Sequence, residues 1–168
     1  MTAGAVPMVR LEGVSKRRAQ GGSVFELQVP SFAVGAGQVV AVVGASGCGK
    51  STLLDLIALV MSPSAAQCFE MSPGGGVATC DIRRLWASAD EAALAALRRD
   101  YLGYVLQTGG LLPFLSVRDN VGLPGRIKGA PGGGARLDRL AARLGVAACL
   151  ERMPDSLSIG QRQRVAIL

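Results

Sequence analysis

The spacing of hydrophobic and polar positions predicts two antiparallel strands at the start of the chain. Residues 9–12 and 25–29 alternate apolar and polar side chains, and Gly21 and Gly22 separate the two stretches. A period of two is typical of strands that bury one face, and paired glycines are typical of a turn. We therefore expect a small antiparallel β-sheet within about residues 1–37.

Two continuous runs indicate further strands around a helix. Residues 38–43 read QVVAVV, a run rich in the β-branched residue valine that ends at Gly44, which is the pattern of a strand buried on both faces. A helix is expected over about residues 50–59, and residues 101–106 are predicted to return to strand. Residues 61–79 carry prolines and glycines, which indicate a surface connection with one short strand. Strand, glycine-rich turn and helix in this order favour an α/β fold.

The clearest helix is predicted over residues 88–99. Ser88 and Glu91 have the spacing of a capping box, and Leu94 and Leu97 lie on one face of the helix. We expect that face to pack on the core.

Helical patterns recur in the last third of the chain. Residues 111–122 contain a break at Pro113 followed by a short helix, and residues 129–134 form a flexible loop rather than a domain linker. A helix with one apolar face is predicted further on. Its apolar stripe consists of Leu137, Leu140, Ala141 and Leu144.

Composition narrows the class of protein. The 168 residues suit one domain, and a net charge of +6 suits a polyphosphate, an anionic lipid or a nucleic acid. Only 4% of the residues are aromatic and no basic stripe interleaves with them, so we expect no nucleic-acid partner. No apolar run reaches the roughly 18 to 20 residues of a membrane span, and the first residues lack a signal-peptide pattern. A cytoplasmic location is therefore expected.

The cysteines give no metal-binding pattern. They lack C-x-x-C spacing, and the chain has no histidine that could complete a zinc site. We expect reduced thiols, as is usual in the cytosol. The four are Cys48, Cys68, Cys80 and Cys149.

A glycine-rich segment after the first apolar run matches the phosphate-binding pattern G-x-x-x-x-G-K-[ST]. This phosphate loop consists of Gly44, Ala45, Ser46, Gly47, Cys48, Gly49, Lys50 and Ser51. Glycines let the backbone curl around an anion with its N–H groups facing inward. We expect Lys50 to contact the β- and γ-phosphates, Ser51 to bind Mg²⁺, and Thr52 to add a phosphate hydrogen bond. By itself the loop would equally suit a kinase, a GTPase or a recombinase.

A second motif near residue 160 separates these alternatives. Residues 157–165 read LSIGQRQRV, which resembles the signature LSGGQRQRV of ABC-type ATP-binding cassettes. The plain alternative is a serine-capped helix with a solvated face, and the two interpretations are compatible. The resemblance implies that the signature faces an ATP bound by a second cassette, in a head-to-tail dimer. The residues concerned are Leu157, Ser158, Ile159, which replaces a glycine, Gly160 and Gln161.

A third string lies between these two motifs. Residues 102–107 read LGYVLQ and residues 111–121 read LLPFLSVRDNV, which resembles the Q-loop segment of the same family. The resemblance implies that Gln107 senses the γ-phosphate and Mg²⁺, and that the following residues receive a coupling helix from a membrane permease subunit. The alternative is that Gln107 only closes a strand. The likeness covers residues 8–168 and is strongest to cassettes of the lipoprotein-release and macrolide-export type.

The resemblance implies a P-loop NTPase of the ABC type that works at the inner face of the membrane through its permease subunits. Its parts would be a β subdomain over about residues 1–37, a phosphate-loop core over 38–106 and a helical subdomain over 107–168. Family members usually stack an aromatic residue on adenine, and here Arg18 occupies the matching position, with Phe25 as the alternative.

The same resemblance implies an ATP-binding component that couples ATP hydrolysis to transport. In the family a Walker B aspartate, a catalytic glutamate and a switch histidine follow the signature, and the sequence reaches only Leu168. We therefore expect this chain by itself to bind ATP without hydrolysing it. The alternative function is a non-hydrolysing nucleotide-binding module that regulates a transporter. A DNA-repair or chromosome ATPase would need a far longer insert between the two motifs.

Overall fold

The computed structural model describes residues 6–20, 22–74, 78–106, 109–129 and 133–168. The chain divides into two compact units. They are Met1–Leu102 and Gly103–Leu168.

The first unit contains a four-stranded antiparallel sheet. Strands β1 (Val9–Gln20) and β2 (Ser23–Val34) form the long hairpin that the alternating pattern predicted. Strand β3 (Cys68–Met71) pairs with the other edge of β1, and the short β4 (Cys80–Asp81) pairs with β3. The strand order is β2-β1-β3-β4. The single short strand expected within residues 61–79 is β3.

Three helices share a hydrophobic core with this sheet. They are α1 (Lys50–Ile57), α2 (Ile82–Ala87) and α3 (Glu91–Tyr101). Each large apolar side chain that folding buries contributes about 1.5–3 kcal/mol. The most deeply buried members of this core are Leu11, Val14, Leu56, Leu59, Phe69, Ile82 and Leu94.

The start of α3 differs from the prediction. Ser88 does not form a capping box, because it ends α2, and its Oγ donates a hydrogen bond to the carbonyl of Arg84 over 2.9 Å. The cap of α3 is Asp90, whose carboxylate accepts from the backbone N–H of Ala93 at 3.0 Å. A serine hydroxyl can form a hydrogen bond with either the preceding or the following turn, and the Ser88 hydroxyl bonds to the preceding helix, α2. Leu94 is buried on the helix face as predicted.

Residues 38–43 and residues 101–106, both predicted to be strands, form none. Val39 is 99% exposed and Val43 is 85% exposed in an irregular segment, while Tyr101 closes α3 and residues 102–106 are irregular. A strand buried on both faces needs hydrogen-bonded neighbours on both sides. Among the described residues, every strand belongs to the antiparallel sheet, so these two runs have no neighbour with which to pair.

Two cations hold the turn that follows α1. Arg98 Nη1 donates to the carbonyl of Leu59 over 2.7 Å, and Lys16 Nζ donates to the carbonyl of Ser62 over 2.7 Å. Leu59 is fully buried and has φ 58, a left-handed conformation that costs a side chain energy. The cations compensate for that cost by pairing with carbonyls near the negative end of the helix dipole.

We expect Arg98→Met to lower the free energy of unfolding by about 1–2 kcal/mol, because it leaves the part-buried Leu59 carbonyl without its charged donor. Chemical denaturation measures this loss. The matched control is Arg99→Met, which breaks only an exposed pair with Asp100 and should cost less than about 0.5 kcal/mol. Equal losses in the two variants would contradict this role for Arg98.

The second unit is helical. It contains α4 (Val117–Ile127), α5 (Gly134–Arg143) and α6 (Ile159–Val165), with 3₁₀ turns at Ala147–Cys149 and Pro154–Ser156. The helices after Pro113 and at the predicted apolar stripe are confirmed. Their common core consists of Val117, Ala141, Val146, Cys149, Leu150, Leu157 and Val165. Within the described residues, no helix is long and apolar enough to span a membrane.

Candidate functional site

The phosphate loop leads directly into α1. Gly49 precedes the helix with φ 103, a conformation that side chains rarely adopt. A Cβ added there would lie 2.9 Å from Leu27 Cδ1 and 3.1 Å from Phe25 Cζ. Gly49 is therefore required both by its backbone conformation and by the close approach of β2. Strand β2 supports the loop from the side of the sheet.

The N-terminus of α1 is open to an anion. Among the described residues, no side chain caps Gly49 and no acidic residue lies in the first turn, whereas α3 and α6 have side-chain caps. Lys50 Nζ lies over the loop, 2.9 Å from the carbonyl oxygen of Gly44 and 2.6 Å from that of Ala45. Free backbone N–H groups, the positive end of a helix dipole and an ammonium group together suit phosphate oxygens.

The hydroxyls that follow Lys50 complete this donor set. Ser51 is exposed at the first turn of α1, and Thr52 is 8% exposed. A hydroxyl oxygen suits Mg²⁺, which commonly takes few protein ligands and keeps water and phosphate oxygens. In the described part of the chain, no cluster of three or more His, Cys, Asp or Glu side chains could hold a metal ion. The residues present therefore fit Mg²⁺ bound together with a nucleotide.

Cys48 lies inside the loop. A Cβ added to Gly44 would lie 2.7 Å from Cys48 Sγ, and Lys50 Nζ is 3.8 Å from the same sulfur atom. The thiol is exposed, whereas Cys149 is buried. A group attached to Cys48 would occupy the space that the loop encloses.

The register of the hairpin decides which residue lies beside the loop. Arg18 in β1 pairs directly with Phe25 in β2, so the two side chains share one face of the sheet. Phe25 is half-buried against Gly49, while Arg18 is exposed. The contact of Phe25 and Leu27 with the loop was not predicted from the sequence. The alternating pattern predicted a strand there, but it did not predict which part of the protein that strand contacts.

The signature residues form the start of α6 in the second unit. Ser158 Oγ accepts from the backbone N–H of Gln161 at 3.2 Å, and Gln161 Oε1 accepts from the backbone N–H of Ser158 at 2.9 Å. This is a complete capping box. Leu157 is buried, and Ile159 is 72% exposed. Gly160 has open space around it, since an added Cβ would meet only the Arg164 guanidinium at 3.8 Å.

The Q-loop segment is described in part. Gln107 lies outside the described residues, and its predicted role remains a prediction. The next described residue, Gly109, lies close to α6, because an added Cβ would be 3.4 Å from the carbonyl oxygen of Arg162. The segment that follows Gln107 therefore contacts the signature helix within the second unit.

Asn120 fixes the turn that follows this segment. Its Oδ1 accepts from the backbone N–H of Leu112 at 2.7 Å, and its Nδ2 lies 3.0 Å from three carbonyl oxygens, those of Leu112, Leu115 and Ser116. Phe114, in the middle of this turn, is 72% exposed. An exposed aromatic side chain on a rigid turn can anchor a partner. No local pattern predicted that Asn120 holds the turn.

The start of α4 adds to this rigidity. Ser116 caps the helix by accepting from the backbone N–H of Asp119, and its hydroxyl donates to the Asp119 carboxylate over 2.7 Å. That hydrogen bond, together with the Arg126 guanidinium, holds the pKa of Asp119 below its ordinary value. The carboxylate stays charged at the positive end of the α4 dipole.

Comparison with known proteins places the chain among ATP-binding cassettes. Residues 27–168 match the family model described as ABC transporter. The chain is 39% identical over 164 residues to the probable export ATP-binding/permease protein MacB of Pseudomonas entomophila, covering 96% of this chain and 23% of that protein. It is also 39% identical over 164 residues to the macrolide export ATP-binding/permease protein MacB 1 of Aeromonas hydrophila, covering 96% of this chain and 24% of that protein. The chain thus spans about a quarter of the length of these relatives.

Solved structures agree with this placement. The dimeric bacterial ABC transporter cassette MJ0796 superposes with a TM-score of 0.76 at 32% identity, covering 95% of this chain and 67% of that one. Its post-hydrolysis state, described as bound to ADP and Pi, superposes with a TM-score of 0.75 at 30% identity and the same coverage. These neighbours confirm the predicted α/β fold of a P-loop NTPase. Because the family match extends over residues 27–168, this chain belongs to the ABC transporter family.

Proposed function

We propose that this chain is the ATP-binding part of an ABC transporter and that its cassette couples ATP binding and hydrolysis to transport. The observation that carries the proposal is the uncapped N-terminus of α1, with Lys50 Nζ held over the glycine loop. The names of the relatives, export ATP-binding/permease proteins, support a role in transport. The second candidate is a module that regulates a transporter. It would bind a nucleotide through the same loop but would not hydrolyse it.

The phosphate loop would bind the nucleotide through its backbone N–H groups and three side chains. Lys50 would leave the carbonyls that it now contacts for the β- and γ-phosphates, because an anion is a better partner for an ammonium group. Ser51 would hold Mg²⁺, and Thr52 would donate to a phosphate. When bound, Mg²⁺ neutralises charge on the phosphate oxygens. Gln107 is proposed to report on the γ-phosphate.

The adenine site is proposed beside β2. Phe25 offers a half-buried ring next to Gly49, and a base can stack on such a ring. Arg18, on the same face of the sheet, could place its planar guanidinium over the other side of the base. The geometry supports Phe25 as the direct contact more strongly than Arg18.

A second cassette is the proposed partner at the signature. Residues 157–161 would face the γ-phosphate of an ATP held by that cassette, in a head-to-tail dimer. The dimeric form of the solved cassette MJ0796 supports this arrangement. Ile159 extends into solvent, and the unobstructed backbone at Gly160 is compatible with close approach of a phosphate.

A permease subunit is the proposed partner of the turn over residues 112–116. The exposed ring of Phe114 and the four hydrogen-bonding contacts of Asn120 give that turn the rigidity of a docking point. On this view residues 1–37, 38–106 and 107–168 are the β subdomain, the phosphate-loop core and the helical subdomain. The cassette would work at the inner face of the membrane.

Alkylation of Cys48 tests the proposed nucleotide site. We expect N-ethylmaleimide to abolish binding of a fluorescent ATP analogue, because the added group fills the loop beside Lys50. Saturating Mg-ATP should protect the thiol, which mass spectrometry of the labelled peptide would show. Cys48→Ser is the control and should bind the analogue with or without the reagent. If alkylated protein bound ATP as well as untreated protein, the placement of the site would be wrong.

A further inference from the structure

The positive charge of the protein is concentrated in the second unit. Residues Gly103–Leu168 contain nine arginines and lysines and four acidic residues, a net charge of +5, whereas Met1–Leu102 contain nine and eight, a net charge of +1. A charge asymmetry of this size indicates that the second unit meets a negatively charged partner.

Three of these cations lie on one face of α5. Arg136, Arg139 and Arg143 are spaced i, i+3 and i+7, so they fall within an arc of about 60° and span about 10 Å of the helix. All three are exposed, and in the described part of the chain no carboxylate pairs with them. Arg136 lies in the first turn, where the helix dipole disfavours a cation. Arg143 lies in the last turn, where a cation stabilises the helix, but the stability of α5 does not account for Arg136.

Two carboxylates of the second unit pair with Arg118 rather than with the arginine face. Asp138, the acidic residue of α5, accepts from Arg118 Nη1 at 3.0 Å, and Glu151 accepts from Arg118 Nε at 2.6 Å. Arg118 in α4 thus engages two carboxylates that could otherwise offset the arginines. The arginine face keeps its full charge.

The arginine face also lacks an apolar anchor. The apolar side of α5 is used in the core of the second unit, where Ala141 is fully buried and Leu137 and Leu144 pack against the buried cluster. Protein interfaces take most of their binding energy from buried aromatic or aliphatic anchors, and single-stranded nucleic acids need aromatic rings for stacking. The α5 sequence GARLDRLAAR contains no aromatic residue. An exposed cationic face without an apolar anchor favours a diffuse layer of negative charge over a shaped partner.

We propose that the arginine face of α5 binds anionic phospholipid headgroups at the membrane surface. Phosphate groups in a lipid leaflet require no shape complementarity, and several cations that approach them together add their contributions. Since the apolar side of α5 is engaged in the core, the helix would lie on the headgroups without inserting. The proposal rests on the proposed transport function only in that a transporter cassette works close to a membrane.

Vesicle sedimentation with the purified chain tests this proposal. Binding is expected to vesicles of phosphatidylcholine with phosphatidylglycerol, not to phosphatidylcholine alone, and should weaken as salt is added. The triple variant Arg136→Gln, Arg139→Gln and Arg143→Gln should bind roughly 100-fold more weakly, about fivefold for each arginine. The control removes the same charge from the first unit, as Arg17→Gln, Arg84→Gln and Arg99→Gln, and should stay within about threefold of the parent.

A lysine variant tests whether charge alone is recognised. Arg136→Lys, Arg139→Lys and Arg143→Lys should keep vesicle binding, because a diffuse lipid surface responds to charge, whereas bidentate pairing with a carboxylate or a phosphate requires arginine. Loss of binding in the lysine variant, or equal losses in both glutamine variants, would overturn the proposal. Binding of an ATP analogue and circular dichroism, measured in parallel, should be unchanged in every variant. A failure of lipid binding can thus be told apart from a failure of the nucleotide site.

Discussion

Replacing Lys50 with alanine is expected to lower the affinity of the chain for Mg-ATP by roughly 100-fold. A hydrogen bond from a charged group contributes about 1.5–3 kcal/mol, and the upper part of that range corresponds to a change in affinity of about this size. Lys50 Nζ is positioned for this role, since it already bridges the carbonyls of Gly44 and Ala45 inside the loop. Titration with a fluorescent ATP analogue measures the effect.

Lys128→Ala is the matched control for this substitution. Lys128 is an exposed lysine in the second unit, so its loss removes the same charge and should leave nucleotide affinity unchanged. Thermal unfolding of Lys50→Ala should stay close to that of the parent, because Lys50 contacts only loop atoms. ATP binding by Lys50→Ala with the affinity of the parent would show that the nucleotide lies elsewhere, and the proposed function would fail with it.

Gly49→Ala is expected to reduce stability by about 2–4 kcal/mol and to remove measurable ATP binding. The left-handed backbone at φ 103 costs any side chain about 1–3 kcal/mol. The new Cβ would also lie 2.9 Å from Leu27 Cδ1 and 3.1 Å from Phe25 Cζ, so the loop or β2 must shift. A shift of the loop would misplace the N–H groups that are proposed to bind phosphate. Denaturant unfolding and analogue titration measure the two effects.

Two further variants separate backbone strain from steric clash. Gly37 also has a positive φ, at 72, but nothing lies within 4 Å of an added Cβ, so Gly37→Ala should cost only about 1 kcal/mol. Leu27→Ala in the Gly49→Ala background removes the closest clash and should recover part of the ATP binding. If Gly37→Ala and Gly49→Ala lost equal stability, the contact between β2 and the loop would have no energetic role.

These variants also test how the N-terminal hairpin and the phosphate loop of the first unit cooperate. Phe25 and Leu27 come from the N-terminal hairpin, yet both lie against the last glycine of the phosphate loop. The sheet therefore does more than close the core, since it also sets the space into which the loop can move. Substitution of Leu27 in β2 should therefore alter nucleotide affinity, although Leu27 is not itself proposed to contact the nucleotide.

Local sequence patterns were sufficient for much of this protein. The alternation over residues 9–12 and 25–29 predicted the hairpin, because period-two spacing reflects one buried face of a strand. The serine and glutamine of the signature form the capped helix start expected of Ser158, and Leu94 is buried as its spacing required. Each of these features depends on residues within a few positions of one another. The phosphate-loop motif was also recognisable from consecutive residues, 44–51.

Tertiary structure decided the features that depend on distant residues. Residues 38–43 have the composition of a buried strand but form none, because a strand also needs a partner, and within the described residues none runs beside them. Ser88 has the right chemistry to cap the following helix, but its hydroxyl instead donates a hydrogen bond to the Arg84 carbonyl at the end of α2. The sequence by itself determined which segments could form a turn, a helix cap or a strand with one apolar face. Only the fold decided that Phe25 lies at the phosphate loop and that Asn120 fixes the Phe114 turn, since both depend on contacts that local spacing does not encode.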